Sequence, residues 1–333
     1  MSAAEPSKLE DVAQRAGVNK VTASIVLSGG RGNTRVSEAT RQRIRQAAED
    51  LQYQPNALAQ SLRRRRSHML GLYLGNFLDT RNPFISEIIS GLQLGCEENR
   101  RDFVMHGTFR GDSIDDIVAE LLNGKVDGLV LHVGSDHPLQ ARLASSRLPV
   151  VVIANPAPGM ASVTTDDVTG SWLQVKHLSE RGHQRVLYAV SPFMHTSVIR
   201  RYEAFCVAAA AHGMTVSSVV TEYGLSGLNR VEQAITQKNA SERPTALACW
   251  NDEIAYPMVE HMRSRGIRVP DDLAVVGYDG WTSAIPTAYR LTTINAPWAQ
   301  VARTAVGLLV SNAGKPEPVD TILPVELILG DTT

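Results

Sequence analysis

"LEDVAQRAGVNKVTASIVLSGG", Leu9 to Gly30, decides what the first part of this chain is. Leu9, Val12, Ala13 and Ala16 recur at i, i+3, i+4 and i+7, the spacing of one helix face. Gly17 follows, the residue best able to take a left-handed turn, and Val18 offers an apolar plug. Asn19 is a suitable N-cap for a second helix from about Lys20 to Leu27. Ala13 is small, as the close crossing of two helices requires. Helix, glycine turn and helix make a helix-turn-helix. The alternative is an ordinary αα-hairpin in a globular core, but the unit is too short and too poor in large apolar residues for that. It reads as a minimal three-helix domain.

Working outward, Ser37 caps a third helix with Ile44, Ala47, Ala48 and Leu51 on one stripe and Arg41, Arg43 and Arg45 off it. The intervening "SGGRGNTR" (Ser28–Arg35) has neither a G-x-G-x-x-G pattern nor a Lys-Ser/Thr ending, so it is no nucleotide fingerprint. Beyond the third helix, "QPNALAQSLRRRRS" (Gln54–Ser67) joins a proline, a segment of one to two helical turns (Ala57–Leu62) and four arginines. Such a segment is too short to be stable alone in water. Taken alone, the arginine run also suits a solvated linker, a localisation signal or a membrane-surface patch.

Charge narrows these readings. Residues 1–66 hold 12 Lys and Arg against 6 Asp and Glu, whereas the remainder holds 21 against 28. A basic head on an acidic body points to a polyanion-binding module joined to something else. The length, 333 residues, suits two or three domains. No apolar run approaches the roughly 18–20 residues of a membrane span, and the N-terminus has no segment of signal-peptide type. A cytoplasmic protein without membrane association is expected. Cys96, Cys206 and Cys249 are far apart and odd in number, which favours buried thiols over a disulfide or metal framework.

From Met69 onward, "MLGLYLG", "FVMHGT", "DGLVLHV", "VVVIAN", "RVLYAVS", "SSVVTEY", "TALACWN" and "DLAVVGYDG" read as buried strands separated by amphipathic stretches. Repeated β-α units imply parallel sheets covered by helices, and their number suits two Rossmann-like halves. Ligands bind such sheets beyond the carboxyl ends of the strands. The polar residues there are His132, Asn155, Asn251 with Asp252, and Asp279. They form no catalytic set, and no G-x-S-x-G, H-E-x-x-H, C-x-x-C or P-loop is present, so no enzyme is expected. His132 and His137 lack a third ligand, so neither metal nor cofactor is expected. Neutral polar groups with one carboxylate and one arginine suit a polyhydroxylated ligand.

The pattern "LEDVAQRAGVNKVTASIVLSG…VSEATRQRIRQAAEDLQYQPNALAQSLR" resembles the DNA-binding head of the lactose-repressor/galactose-repressor family of bacterial transcription regulators. The match runs from Leu9 to Arg63 with a slightly longer loop at Gly29–Arg35, and includes Tyr53-x-Pro55-Asn56. The resemblance implies base reading by Lys20 and Val21, followed by Ile25, and phosphate contacts from Thr22, Ser24, Ser37, Thr40 and Asn56, with Tyr53 and Arg63 in the same DNA-binding set. Many members carry arginine at the position of Ile25, which can pair with guanine; Ile25 implies a different operator. Ala57–Leu62 matches the family's hinge helix, in which Leu62 wedges into the minor groove and Ala59 lets two copies approach.

The resemblance continues more loosely to about Glu326 and implies a small all-α head plus an α/β body of two Rossmann-like subdomains, as in type I periplasmic binding proteins. It implies effector contacts from Phe84, His132, Asn155, Ser197, Arg201, Asn251, Asp279 and Trp298. Bland alternatives remain, since Asp279 can cap a turn and Arg201 can pair with an acid such as Glu203. The expected boundaries are a head over 1–54, a hinge and basic linker over 55–67, and an effector and dimerisation domain over 68–333. Within it, one subdomain takes about 68–166 plus 296–318 and the other about 167–295 plus 319–333. The expected partners are a double-stranded DNA operator, a sugar-like effector and a second copy of the chain. The competing reading is a cytoplasmic sugar-binding or sugar-modifying protein with an incidental basic N-terminal segment.

Overall fold

The computed structural model describes residues 7–27, 36–56, 66–75, 82–107, 113–134, 136–192, 195–239, 241–281, 287–311 and 314–333. The chain divides into two compact units, residues 1–68 and 69–333.

The first unit contains α1 (Leu9–Ala16), α2 (Lys20–Leu27) and α3 (Glu38–Asp50). Helix α1 stops at Gly17, whose φ of 65° lies in the left-handed region that a β-carbon disfavours. Asn19 Oδ1 accepts from the Thr22 N–H at 2.7 Å and starts α2. Ser37 Oγ accepts from the Thr40 N–H at 3.3 Å and starts α3. The three helices close on Val12, Ala13, Ala16, Ala23, Val26, Ile44, Ala47 and Ala48. These side chains are small, so the helices lie close and Ile44, fully buried, is the largest of them. The loop Ser28–Arg35 and the segment holding Ala57–Leu62, with Ala59, Leu62 and Arg63, lie outside the described residues.

The second unit begins with β1 (Met69–Leu74), α4 (Pro83–Glu98), β2 (Asp102–His106), α5 (Ile114–Leu121), β3 (Gly128–His132), α6 (Pro138–Ala144), β4 (Val150–Ile153) and β5 (Ala161–Thr165). It continues with α7 (Asp167–Glu180), β6 (Arg185–Val190), α8 (Thr196–Ala211), β7 (Thr215–Val220), α9 (Leu225–Thr236), β8 (Ala246–Cys249), α10 (Asp252–Ser264) and β9 (Ala274–Asp279). The last elements are β10 (Thr292–Asn295), α11 (Trp298–Ser311), β11 (Asp320–Leu323) and β12 (Glu326–Ile328). They form two six-stranded sheets ordered β11-β5-β4-β3-β1-β2 and β12-β10-β9-β8-β6-β7. Every pairing is parallel except that of β12 with β10. In the first sheet one face packs on α4 and α11 and the other on α5 and α6. In the second, α9 and α10 cover one face, α7 and α8 the other. Among the described residues no helix is long and apolar enough to cross a membrane.

All eight expected strands are present. The sequence reading misses β5, β10, β11 and β12, which are short and, in "ASVTT" and "TTIN", too rich in Thr and Ser to read as apolar runs. One expected boundary is corrected. Residues 319–333 do not all belong with the second sheet, because β11 pairs with β5 of the first. The chain therefore crosses a third time between Leu323 and Glu326, after crossings at Thr165–Asp167 and Asn295–Trp298. Side chains on an edge strand as short as β11 carry no periodicity that assigns them to one sheet or the other.

The head's thin core gives a stability prediction. Ile44→Ala should destabilise the first unit by about 2–5 kcal/mol, a large fraction of what so small a unit can hold. All four tryptophans lie in the second unit. Calorimetry should show an earlier melting step for the head while native tryptophan emission stays unchanged. A single unshifted transition would contradict this packing.

Candidate functional site

A cavity of about 240 Å³ lies between the two sheets. Its wall is built from carboxyl ends of strands and the helix starts that follow. These include the ends of β1 and β3 in one sheet and of β8 and β9 in the other, near the points where the strand order reverses, the usual ligand crevice of open α/β sheets. Phe84, His132, Asn155, Ser197, Arg201, Asn251, Asp279 and Trp298 all line it. Its volume falls below the range of drug-sized pockets and suits a small ligand.

Arg201, on α8, is buried and pairs not with Glu203 but with two other acids. Its Nε donates to Asp167 at 2.9 Å and its Nη1 to Asp279 at 3.3 Å and to the Trp250 carbonyl at 3.2 Å. The guanidinium carbon sits 3.7 Å from the centre of the Tyr278 ring. Burial works against the charge, but Asp279 and Asp167 outweigh it and hold the guanidinium protonated. Asp167 also takes Arg200 at 2.6 Å, so one carboxylate binds two successive arginines. Asp279 has a φ of 109°, a strained backbone for a residue with a side chain, which is the kind of strain found at ligand sites. Burial pushes its carboxyl up to about 6, against the pull of Arg201 and of the Trp298 indole, which donates at 3.1 Å.

The remaining expected residues form two groups. Phe84 meets the Trp298 ring edge-on at 4.9 Å and the tilted His132 ring at 5.0 Å, making an apolar wall. Burial lowers the His132 pKa to about 4, so the ring is neutral; its Nδ1 faces the Ile153 carbonyl at 3.3 Å, which leaves Nε2 as the acceptor. Asn155 accepts from the Ser197 hydroxyl and backbone N–H, both at 3.4 Å, across the cleft. Asn251 caps α10 through the Ile254 N–H at 3.1 Å and donates to the Tyr223 hydroxyl at 3.3 Å.

The head presents a second candidate surface, along the start of α2. Val21 is 68% exposed, an apolar side chain held out in water. Lys20 stands beside it and pairs with Glu10 at 3.3 Å in an exposed ion pair, which is weak and exchangeable. Thr22, Ser24 and Ile25 are partly buried on the same helix. Ser37 and Thr40 share a hydroxyl–hydroxyl bond of 2.9 Å at the start of α3. Tyr53 packs against the head's core, and Asn56 is exposed.

Residues 8–56 match the model of the lacI family of bacterial regulatory proteins, and residues 175–333 that of a periplasmic-binding-protein-like domain. Over 315 residues the chain is 30% identical to the HTH-type transcriptional repressor PurR of Photobacterium profundum, covering 91% of this chain and 90% of that protein. The chain belongs to the LacI family. It is also 30% identical over 339 residues to the HTH-type transcriptional regulator DegA of Bacillus subtilis (strain 168), with 97% of each covered. Its fold matches the lac repressor dimer bound to operator and the anti-inducer ONPF with a TM-score of 0.83 at 24% identity over 99% of each chain. A transcriptional regulator CelR–cellobiose complex matches with a TM-score of 0.70 at 26% identity, over 98% of this chain and 100% of that one. As a member of this family the protein is a DNA-binding regulator of transcription.

Several cleft residues of this LacI-family protein escaped the sequence reading. Trp250 and Trp281 neighbour residues that were named, in "CWND" and "YDGW", and the strand-end rule alone could have flagged Trp250. Asp167, which does not line the cavity but pairs with Arg201, follows β5, a strand that the sequence reading misses. Asn82, Tyr223 and Glu253 start or precede helices and carry no signal in spacing; Asn82 Nδ2 donates to Glu253 across the cleft at 3.0 Å.

Asp279 supplies a pH test. Its folded pKa, about 6, lies above the ordinary 3.8, so the folded state takes up the proton first. The stability this contributes is present below about 4 and lost as pH rises through about 6. The difference in unfolding free energy between wild type and Asp279→Asn should therefore fall over that window and stay level above it. A difference flat from pH 4 to 7 would contradict the assignment.

Proposed function

We propose that the protein is a homodimeric repressor that binds a pseudo-palindromic operator and whose DNA affinity is switched by a sugar or sugar derivative held in the cleft. One observation carries the reading. Residues scattered from Phe84 to Trp298 converge on one cavity that offers hydrogen-bonding groups and aromatic faces. Hydroxyls suit the mixture of donors and acceptors, and the C–H faces of a sugar suit the rings of Phe84 and Trp298. The cellobiose complex of CelR, 26% identical to this chain, supports a carbohydrate effector.

In this reading α2 enters the major groove with Lys20 as the main polar reader and Val21 against base edges, while Ile25 packs on a thymine methyl or sugar edge. Thr22, Ser24, Ser37, Thr40 and Asn56 hold phosphates, which fix position and carry little sequence information. Two-fold symmetric half-sites account for the dimer. Leu62, which lies outside the described residues, opens a base step in the minor groove. An effector that prefers one closure of the two subdomains shifts the paired heads, and only by its differential affinity for the two states.

Mobility-shift titrations on the regions upstream of neighbouring genes test the DNA half. Lys20→Ala should weaken binding to the cognate site by about tenfold or more, and indifference to sequence in the wild type would sink specific regulation. Leu62→Ala should weaken operator binding far more than binding to random duplex, because the wedge acts only where the kink forms. Equal losses on both would remove the wedge from the account.

A further inference from the structure

The candidate DNA surface of the head carries an acid. Glu10 stands in the first turn of α1, and its Oε2 lies 3.3 Å from Nζ of Lys20, the first residue of α2. Both side chains are more than half exposed, and Val21, the next residue, is held out in water beside them. The two helices are fixed in this relation by Val12, Ala13, Ala16, Ala23 and Val26 of the head's core. Other acids of the head serve its own structure. Asp11 accepts from the Lys8 N–H at 2.7 Å where α1 starts, and Asp50 holds Arg15 at 2.7 Å and Gln46 at 2.9 Å. The Lys20–Glu10 pair gives no comparable support, since an exposed ion pair adds little stability. Beside a polyanion a carboxylate also costs affinity. An acid at that position is accounted for when it makes a contact of its own on the DNA.

The chemistry of base edges says which contact. In the major groove a G·C pair shows two acceptors on guanine, N7 and O6, and one donor on cytosine, the N4 amino group. O6 and N4 are hydrogen-bonded to each other, so they stand about 2.9 Å apart. The ammonium of Lys20 and the carboxylate of Glu10 stand 3.3 Å apart, a donor beside an acceptor at nearly the same spacing. Lysine donates to guanine O6 and N7, and a carboxylate accepts from cytosine N4. The ion pair can therefore transfer whole onto one base pair. A T·A pair also sets an acceptor, O4, beside a donor, N6, but thymine carries its methyl group where guanine carries N7. Phosphates attract the ammonium and repel the carboxylate, so the backbone offers the pair no equivalent match.

We propose that Glu10 is a second base-reading residue, and that Lys20 and Glu10 together select one guanine–cytosine pair in each half of the DNA site. Lys20 donates to guanine O6 and N7, and Glu10 accepts from cytosine N4. This rests on the placement of α2 in the major groove given above. On other sequences the carboxylate offsets the pull of Lys20 on phosphates, so the same residue holds down non-specific binding.

The test begins with the full chain and a pool of randomised duplexes, from which bound sequences are enriched. Every base pair of the enriched site is then replaced in turn by the other three, and affinities are measured at low salt, where phosphate contacts keep weakened variants bound. In the wild type, replacing one G·C pair per half-site should weaken binding by about tenfold. Glu10→Ala should shrink that penalty by about threefold or more at the same pair that Lys20→Ala relaxes, and at no other. Its affinity for the enriched site should fall while its affinity for random duplex holds or rises. In the Lys20→Ala background, Glu10→Ala should still lower the remaining preference at that pair. Calorimetry of each variant checks that the head stays folded. A Glu10→Ala protein that relaxes no pair, or a different one from Lys20→Ala, would overturn this proposal and leave the placement of α2 standing. So would a gain on both kinds of DNA, which makes Glu10 a repelling charge alone, or no effect in the Lys20→Ala background, which makes it a support for Lys20. A wild type that enriches no sequence would overturn both, and an enriched site without a discriminated G·C pair overturns the proposal without any variant.

Discussion

A buried guanidinium must be paired, and the second unit is arranged around that requirement. Arg201 sits between Asp167 and Asp279 with its plane on Tyr278. Stripping one partner from such a pair typically costs 3–5 kcal/mol, because it strands the other charge away from water. The positions of the partners give the pair its consequence. Asp167 is the residue that opens α7 directly after the chain first crosses between sheets, and Asp279 ends β9 and receives the indole of Trp298, which opens α11 after the second crossing. The charge that holds the site together is thereby tied to the segments about which the two subdomains would have to turn.

Among the described residues, hydrogen bonds in three residue pairs bridge the cleft itself. Trp298 donates to Asp279, Asn82 to Glu253, and Ser197 to Asn155. Every one involves a residue that lines the cavity, so a bound ligand competes with these bonds or extends them. A ligand that replaces them with its own hydroxyls stabilises one closure; a ligand that fits only a wider cleft stabilises another. On the function proposed above, the cleft's selectivity and its capacity to switch would rest on the same side chains, and the direction of the switch would follow from which of these bonds a given effector keeps.

The head was legible almost residue by residue because its signals are local. Gly17, Asn19 and Ser37 act on the backbone within three residues of themselves, and Ile44 and the alanines follow helical spacing. In the body, strong Val- and Leu-rich strands were legible, and strand ends pointed to His132, Asn155, Asn251 and Asp279. What escaped depends on long-range geometry. Asp167 matters because Arg201 and Tyr278 reach it from 34 and 111 residues away. Glu253 meets Asn82 across 171 residues. The sheet to which β11 belongs is decided by pairing with β5 and not by its own four residues. No periodicity in one chain encodes those distances.

The central claim is that one equilibrium serves both the cleft and the head. Linkage makes that claim measurable from the ligand side, since an effector that changes operator affinity must have its own affinity changed by operator to the same factor. The most direct measurement is the dissociation constant of a bound sugar for the full chain, first free and then saturated with operator DNA. The account predicts two constants that differ by about 5–150-fold, the usual range of such coupling, with the ratio matching the shift in operator affinity that the sugar produces. Identical constants, with both ligands bound, would contradict it.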